Sequence, residues 1–108
     1  MNTIEYLDAV KKKLGIESDY ALAKRLGFSL SAVSSYRTGR RALDDDAALV
    51  IATALDCHPL QVIAAANAER AKTPEQRERW SGVMEKFSVS FLNLLSGRGP
   101  HERRAFVR

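Results

Sequence analysis

A single cysteine and two histidines are the side chains here with the widest covalent and metal chemistry. Cys57 and His58 are adjacent, but adjacency in sequence does not place a general base on a nucleophile. Together with His101 they lack the spacing of a metal-ligand set. The run Asp44–Asp46 fits helix capping better than a cation site, and the sequence contains no glycine-rich phosphate loop. We therefore predict no catalytic residues, no metal, no cofactor and no enzymatic activity. Cys57 is interpreted as a half-buried turn residue and His58 as a helix cap.

The positively charged side chains could bind nucleic acids, because Lys and Arg neutralise phosphates. The 108-residue chain has a formal net charge of +4. Two basic zones flank a more neutral middle. They contain Lys11, Lys12, Lys13, Lys24, Arg25, Arg37, Arg40 and Arg41 in the first 43 residues, and Arg98, Arg103, Arg104 and Arg108 at the end. This balance is compatible with a polyanionic partner without establishing one. For Lys11–Lys13 a solvated helix face is the preferred interpretation.

Size, hydropathy and cysteine usage narrow the class of protein. The length is that of one small domain with an appendage. The longest apolar run, around Ala47–Leu55, is far shorter than the roughly 20 residues that a membrane span needs. The first residues are polar and do not form a signal sequence, and one cysteine cannot form an intramolecular disulfide. We predict a cytoplasmic protein with no membrane contact.

The spacing of apolar residues, caps and chain breakers predicts an all-α chain of six helices. Asn2 and Glu5 form a capping-box pair at the first helix, which Gly15 ends. The predicted caps of later helices are Ser18, Ser29, Asp44 and Thr73, with Pro59 and Pro74 at first helical positions. The predicted inward faces are Ile4, Leu7, Val10 and Leu14; Ala21, Leu22 and Leu26; Val33 and Tyr36; Leu49, Ala52 and Leu55; and Leu60 and Ile63.

Residues 19–41 have the pattern of two short helices joined by a tight turn, as a helix-turn-helix requires. Ala23 allows the two helices to pack closely, Gly27 permits the turn, and Val33 wedges the second helix onto the first. In such a motif the second helix enters the major groove of DNA and its N-terminal half meets base edges. The outward face of this helix carries Leu30, Ser31, Ser34, Ser35 and Arg37.

From Tyr20 to about Ile63 the sequence resembles the Cro/phage-repressor (XRE-type) helix-turn-helix family. The matching residues are Leu22-Ala23, Leu26-Gly27, Ser29, Val33, Gly39-Arg40, Ala52, Ala54-Leu55 and the ending Pro59–Ile63. They occur in the right order and spacing across four helices, and with the first helix they cover most of residues 1–66. The resemblance implies a five-helix, lambda-repressor-like domain at residues 1–66 that binds double-stranded DNA, usually as a homodimer on an inverted repeat.

The resemblance also implies where DNA is contacted. Family base contacts fall on Leu30, Ser31, Ser34 and Ser35, and family phosphate contacts fall on Thr38 and Arg40. The full predicted DNA-binding set is Ser29, Leu30, Ser31, Ser34, Ser35, Arg37, Thr38, Arg40 and Arg41. The alternative is that this serine-rich helix is only a solvated face.

Three positions depart from the family pattern. Where the family often has a phosphate-binding glutamine at the start of the second helix, this chain has Asp19, which would repel a phosphate and leave Ser18 or Tyr20 to substitute. Where the family often has glutamine at the start of the third helix stands Leu30, which can touch a thymine methyl or pack inward. Arg37 replaces the usual glutamate near the end of that helix and adds positive charge. The operator sequence is therefore not readable, and water or DNA shape can carry part of the readout.

A sixth helix is predicted from Thr73 to about Leu95, with a flexible basic tail at residues 96–108. Its large apolar residues recur at heptad spacing at Trp80, Met84, Phe87, Phe91 and Leu94. Such a stripe must be covered. We interpret residues 67–95 as a dimerisation helix, helped by the fifth helix. The alternative is that the stripe folds back onto the first and fifth helices.

These features together predict a homodimeric transcriptional repressor of phage or prophage type that covers a promoter. An antirepressor protein, competition or dilution would relieve repression. One alternative is the antitoxin of a toxin–antitoxin pair, whose C-terminal helix would bind the toxin. Another is a protein-interaction adaptor that does not touch DNA.

Overall fold

The computed structural model describes residues 1–88, which form six α-helices joined by short turns. The helices are α1 (Thr3–Leu14), α2 (Asp19–Leu26), α3 (Leu30–Arg37), α4 (Asp45–Leu55), α5 (Pro59–Arg70) and α6 (Pro74–Lys86). Residues 1–88 contain no strand, so the all-α prediction is confirmed for this part of the chain.

Side-chain caps begin the helices where the sequence predicts them. The capping box of α1 is complete, because the Glu5 N–H donates to Asn2 Oδ1 and the Asn2 N–H donates to Glu5 Oε1. The other predicted caps, Ser18, Ser29, Asp44 and Thr73, each accept an N–H from the third residue after them. His58 caps α5 by accepting the Leu60 N–H at Nδ1, and Cys57 beside it is half-buried. The interpretation of both residues is confirmed.

The core lies between α1, α4 and α5, while α2 and α3 pack on each other and α3 also packs on α1. Leu7 and Val10 of α1 are fully buried against Ile51 of α4 and Val62 of α5, with Leu22 of α2 in the same cluster. Burying each of these five side chains removes apolar surface from water and contributes about 1.5–3 kcal/mol to the stability of the fold. This is the main favourable contribution.

Three predicted inward faces are shifted. Ala21 is exposed, whereas its neighbours Leu22 and Ala23 are buried. Leu49 is 50% exposed and Leu60 is 39% exposed, so both predictions of core positions are wrong. The predictions hold for Ala52, which is buried, and for Leu55 and Ile63, which pack partly buried against the core. The other buried residues of α4 and α5 are Ala47, Ala48 and Ile51, and Val62, Ala64, Ala65, Ala66 and Ala68. Alanine lets these helix backbones approach closely, and Leu49 and Leu60 are left at the surface.

The prediction of one helix from Thr73 to about Leu95 is wrong at its end. Helix α6 ends at Lys86, with Phe87 as its C-cap. Residues 89–95, including Phe91 and Leu94, and the tail at 96–108 lie outside the described residues.

The predicted apolar stripe does not form one uncovered face in α6. Met84 packs against the core, and the Phe87 ring lies with its centroid 4.5 Å from that of His58. Trp80 is 37% exposed. The fold-back alternative therefore describes Met84 and Phe87, and Trp80 remains at the surface.

Candidate nucleic-acid interface

The turn between α2 and α3 is built by Gly27, Phe28 and Ser29. Gly27 has φ +75°, a left-handed conformation that disfavours any side chain with a Cβ. The Phe28 ring meets the Tyr36 ring edge-on with centroids 6.1 Å apart, and Val33 and Tyr36 are buried. This packing fixes the angle at which α3 leaves α2.

The outward face of α3 has the composition that the sequence predicts. Leu30 is 52% exposed, Ser31 and Ser34 are exposed, and Ser35 is half-buried. Leu30 and Ser34 are four residues apart, as are Ser31 and Ser35, and Ser31 and Ser34 are three apart. Residues three or four apart are neighbours on a helix, so these side chains form one surface. It offers short hydroxyl groups that donate and accept hydrogen bonds, beside one apolar group.

The loop after α3 places two arginines next to that surface. The N–H groups of Arg40 and Arg41 both donate to the Ser35 carbonyl, at 3.0 and 3.3 Å. The Arg41 guanidinium lies 5.3 Å from the centre of the Tyr36 ring and 3.4 Å from Asp44 Oδ2. Arg40 is exposed, and the ion pairs within residues 1–88 do not include it. The side chain of Arg40 is therefore the more available of the two for a phosphate.

Arg37 is engaged inside the domain. Its guanidinium donates from Nε to Asp19 Oδ2 at 3.0 Å and from Nη2 to Asp19 Oδ1 at 2.9 Å. Nη1 lies 2.8 Å from Asp8 Oδ1, and Lys11 Nζ lies 3.2 Å from Asp19 Oδ1. We call these four residues the α1–α3 ion cluster, because they join α1, α2 and α3. The predicted contact of Arg37 with DNA stays a prediction.

Comparison with known proteins decides the family. A family model described as helix-turn-helix matches residues 7–62, more than half of the chain. The chain belongs to the helix-turn-helix family. Neither a curated protein nor a solved structure matches it. Helix-turn-helix domains of this XRE type are DNA-binding and regulatory, so membership indicates a DNA-binding transcription regulator.

None of the helices within residues 1–88 combines the length and apolarity needed to cross a bilayer. The same residues contain no cluster of His, Cys, Asp or Glu side chains arranged to hold a metal ion.

A polar network that the sequence analysis missed anchors the arginine loop of the helix-turn-helix domain. The Leu43 N–H donates to Thr3 Oγ1 at 3.1 Å, and the Leu43 carbonyl accepts from Arg70 Nη1 at 2.6 Å. The buried Thr3 in turn donates from Oγ1 to Glu69 Oε1 at 2.8 Å. These partners lie 27 to 66 residues apart, so no local pattern pointed to them. The network ties the loop that carries Arg40 to both ends of the domain.

Thr3→Val is expected to lower the free energy of unfolding by about 1–3 kcal/mol. The new side chain keeps the shape but leaves the buried Leu43 N–H without its acceptor. The matched control is Thr53→Val, which removes an exposed hydroxyl that donates to the Leu49 carbonyl. Urea unfolding of both variants measures the difference. Equal effects at the two threonines would contradict the anchoring role of Thr3.

The ion cluster makes stability depend on pH. Hydrogen bonds from Arg37 hold the pKa of Asp19 below its ordinary value, against partial burial that acts to raise it. A lowered pKa in the folded state means that the unfolded chain binds more protons. The stabilisation is therefore complete above the ordinary aspartate pKa of about 3.9 and is lost as pH falls through the lowered value.

Asp19→Asn is accordingly expected to lower the unfolding free energy near neutral pH and to make little difference in strong acid. Urea unfolding at several pH values measures this convergence with the unmodified chain. Glu78→Gln, at an exposed position of α6 outside the ion cluster, serves as the control. A penalty at Asp19 that did not shrink with acidification would argue against the charged pair as its source.

Proposed function

We propose that this helix-turn-helix protein is a sequence-specific transcriptional repressor of phage or prophage type, which binds an inverted-repeat operator as a homodimer. The observation that supports it most is the exposed face of α3, which presents Leu30, Ser31 and Ser34, with the exposed Arg40 in the loop that follows the same helix. A helix that is fixed on its inner side by Val33 and bare on its outer side is suited to enter a major groove.

The two kinds of contact have separate roles in this proposal. Base edges are read by the outward side chains of α3, with Leu30 against a thymine methyl and the serine hydroxyls against donors and acceptors. Phosphates are held by the loop that follows and by the start of α3, which fix the register of the protein on the duplex. The proposed contact residues are Ser29, Leu30, Ser31, Ser34, Ser35, Thr38, Arg40 and Arg41. Arg37, the remaining member of the predicted set, is left out of these contacts because its guanidinium is engaged by Asp19 and Asp8.

Repression follows from occupancy. A dimer on an operator within a promoter would exclude RNA polymerase in the cytoplasm, where the DNA lies. We also propose that release depends on an antirepressor protein, on competition or on dilution.

The exposed apolar side chains of α5 and α6 support the homodimer. Trp80 and Leu60 are both at the surface, and tryptophan at an exposed position is a frequent centre of protein interfaces. A twofold pair would hold two copies of α3 about 34 Å apart, one turn of DNA. Phe91 and Leu94 are proposed to extend this interface.

Trp80→Glu is expected to weaken the dimer at least about tenfold, because it places a charge in an apolar interface. Phe87→Ala is the matched control. We expect it to change the dimer dissociation constant less than Trp80→Glu, because the Phe87 ring already packs on His58 of its own chain. Analytical ultracentrifugation measures the dimer dissociation constant, and circular dichroism checks the fold. An unchanged dissociation constant for Trp80→Glu would remove α6 from the interface.

Selection of bound sites from a random duplex library, at physiological salt, tests the proposed function. We expect an enriched inverted repeat with half-sites about one helical turn apart. An enriched single site without symmetry would contradict the dimer but keep the repressor. No enrichment, with binding that vanishes as salt rises, would overturn the repressor and favour an antitoxin or an adaptor.

A further inference from the structure

Asp19 stands where a helix-turn-helix protein approaches the DNA backbone. It is the first residue of α2, and in complexes of this motif the helix before the recognition helix crosses the phosphates. The N–H groups at a helix start favour an anion, but a bare carboxylate at that place repels one. The side chain of Asp19 is 39% exposed, so its charge can be felt by a ligand at the surface.

The α1–α3 ion cluster compensates this carboxylate. Arg37 holds both oxygens of Asp19 in a two-pronged arrangement at 2.9 and 3.0 Å, a geometry that fixes direction as well as distance. Lys11 adds a second cation at 3.2 Å. Asp8, 2.8 Å from the same guanidinium, holds Arg37 from the side of α1. The two cations and two carboxylates sum to no net charge.

We propose that Arg37 is a positioning residue for DNA binding, which neutralises Asp19 at the start of α2 and does not itself bind a phosphate. This inference rests on the proposed DNA binding. It accounts for the simultaneous presence of an aspartate at the start of α2 and an arginine at the end of α3. Loss of Arg37 exposes Asp19 to the phosphates, and loss of both charges together removes the repulsion.

The test is a charge-rescue experiment on the full chain. The probe is a mixed-sequence DNA duplex of about three helical turns at low salt, because approach to phosphates is independent of sequence. Fluorescence anisotropy measures the dissociation constant. Arg37→Gln is expected to weaken binding about tenfold. Adding Asp19→Asn to Arg37→Gln is expected to restore binding to within about threefold of the unmodified chain.

Two other roles for Arg37 predict incomplete recovery. If Arg37 binds a phosphate, Asp19→Asn cannot replace that contact. The double variant then stays about tenfold weaker than the unmodified chain, and the slope of log affinity against log salt falls by about 0.9. If Arg37 only braces the helices, the double variant also stays weak, and its thermal unfolding midpoint falls with it. Either result overturns the proposal. Arg37→Lys, which keeps a cation beside Asp19, is expected to bind nearly as well as the unmodified chain even if Arg37→Gln folds poorly.

A matched control separates local from general charge. Glu78→Gln on α6, added to Arg37→Gln, removes one negative charge at an exposed position outside the ion cluster. We expect no recovery from it, and equal recovery from Glu78→Gln and Asp19→Asn would overturn the proposal. Failure of the unmodified chain to bind any duplex would overturn the proposed function together with this inference. Binding without rescue would overturn the inference alone.

Discussion

Ile51→Ala is expected to lower the free energy of unfolding by about 2–5 kcal/mol. Ile51 is fully buried on α4, within the cluster that includes Leu7 of α1 and Val62 of α5. Truncation removes apolar contacts and leaves a cavity that the surrounding helices fill only in part. The penalty comes from both terms, because close-packed interiors relax little.

Leu49→Ala is the matched control on the same helix. Leu49 is 50% exposed, so its truncation is expected to change the unfolding free energy by only about 0.5 kcal/mol. Urea unfolding monitored by circular dichroism measures both variants. A large penalty at Leu49 and a small one at Ile51 would mean that α4 is rotated, with the predicted Leu49 face turned inward after all.

Helix α4 also shows why part of the fold could not be predicted. A pattern of leucines normally marks the buried face of an amphipathic helix. In α4 the buried positions include Ala47, Ala48 and Ala52, and alanine is too weakly hydrophobic to mark a face by itself. Which side of α4 is buried becomes clear only from the structure, where Ile51 and the loop residue Leu43 belong to one core.

The helix starts, and the end of α2 at Gly27, were predictable because their causes are local, whereas the end of α6 was not. A capping side chain such as Ser29 or Asp44 accepts an N–H only three residues away, and Gly27 ends α2 through its own backbone conformation. The outward face of α3 follows from the same local logic, since Val33 and Tyr36 fix the inner side.

The contacts that hold the candidate site were not predictable from spacing. Thr3 and Leu43 meet only after the chain has folded, and so do Asp19 and Arg37. In the sequence, Asp19 and Arg37 stand as two separate departures from a family pattern. The structure shows that the two side chains form one ion pair, so the two departures compensate each other.

Arg40→Ala is expected to weaken DNA binding about tenfold at moderate salt and to reduce the slope of log affinity against log salt by about 0.9. The physical reason is the loss of one phosphate contact and of the counterions that it releases. The loss should be similar on all sequences, because a phosphate contact carries no base information.

The environment of Arg41 predicts a smaller effect for Arg41→Ala. Its guanidinium already lies by Asp44 and over the Tyr36 ring, so part of its charge is compensated before DNA arrives.

Arg79→Ala, at an exposed position on α6, is the control for the loss of one positive charge anywhere on the surface. Titration of a mixed-sequence duplex at several salt concentrations gives all three slopes. The loop after α3 is a phosphate site if the slope falls at Arg40 and holds at Arg79. Equal slopes for the two variants would mean that Arg40 acts only through the overall charge of the protein.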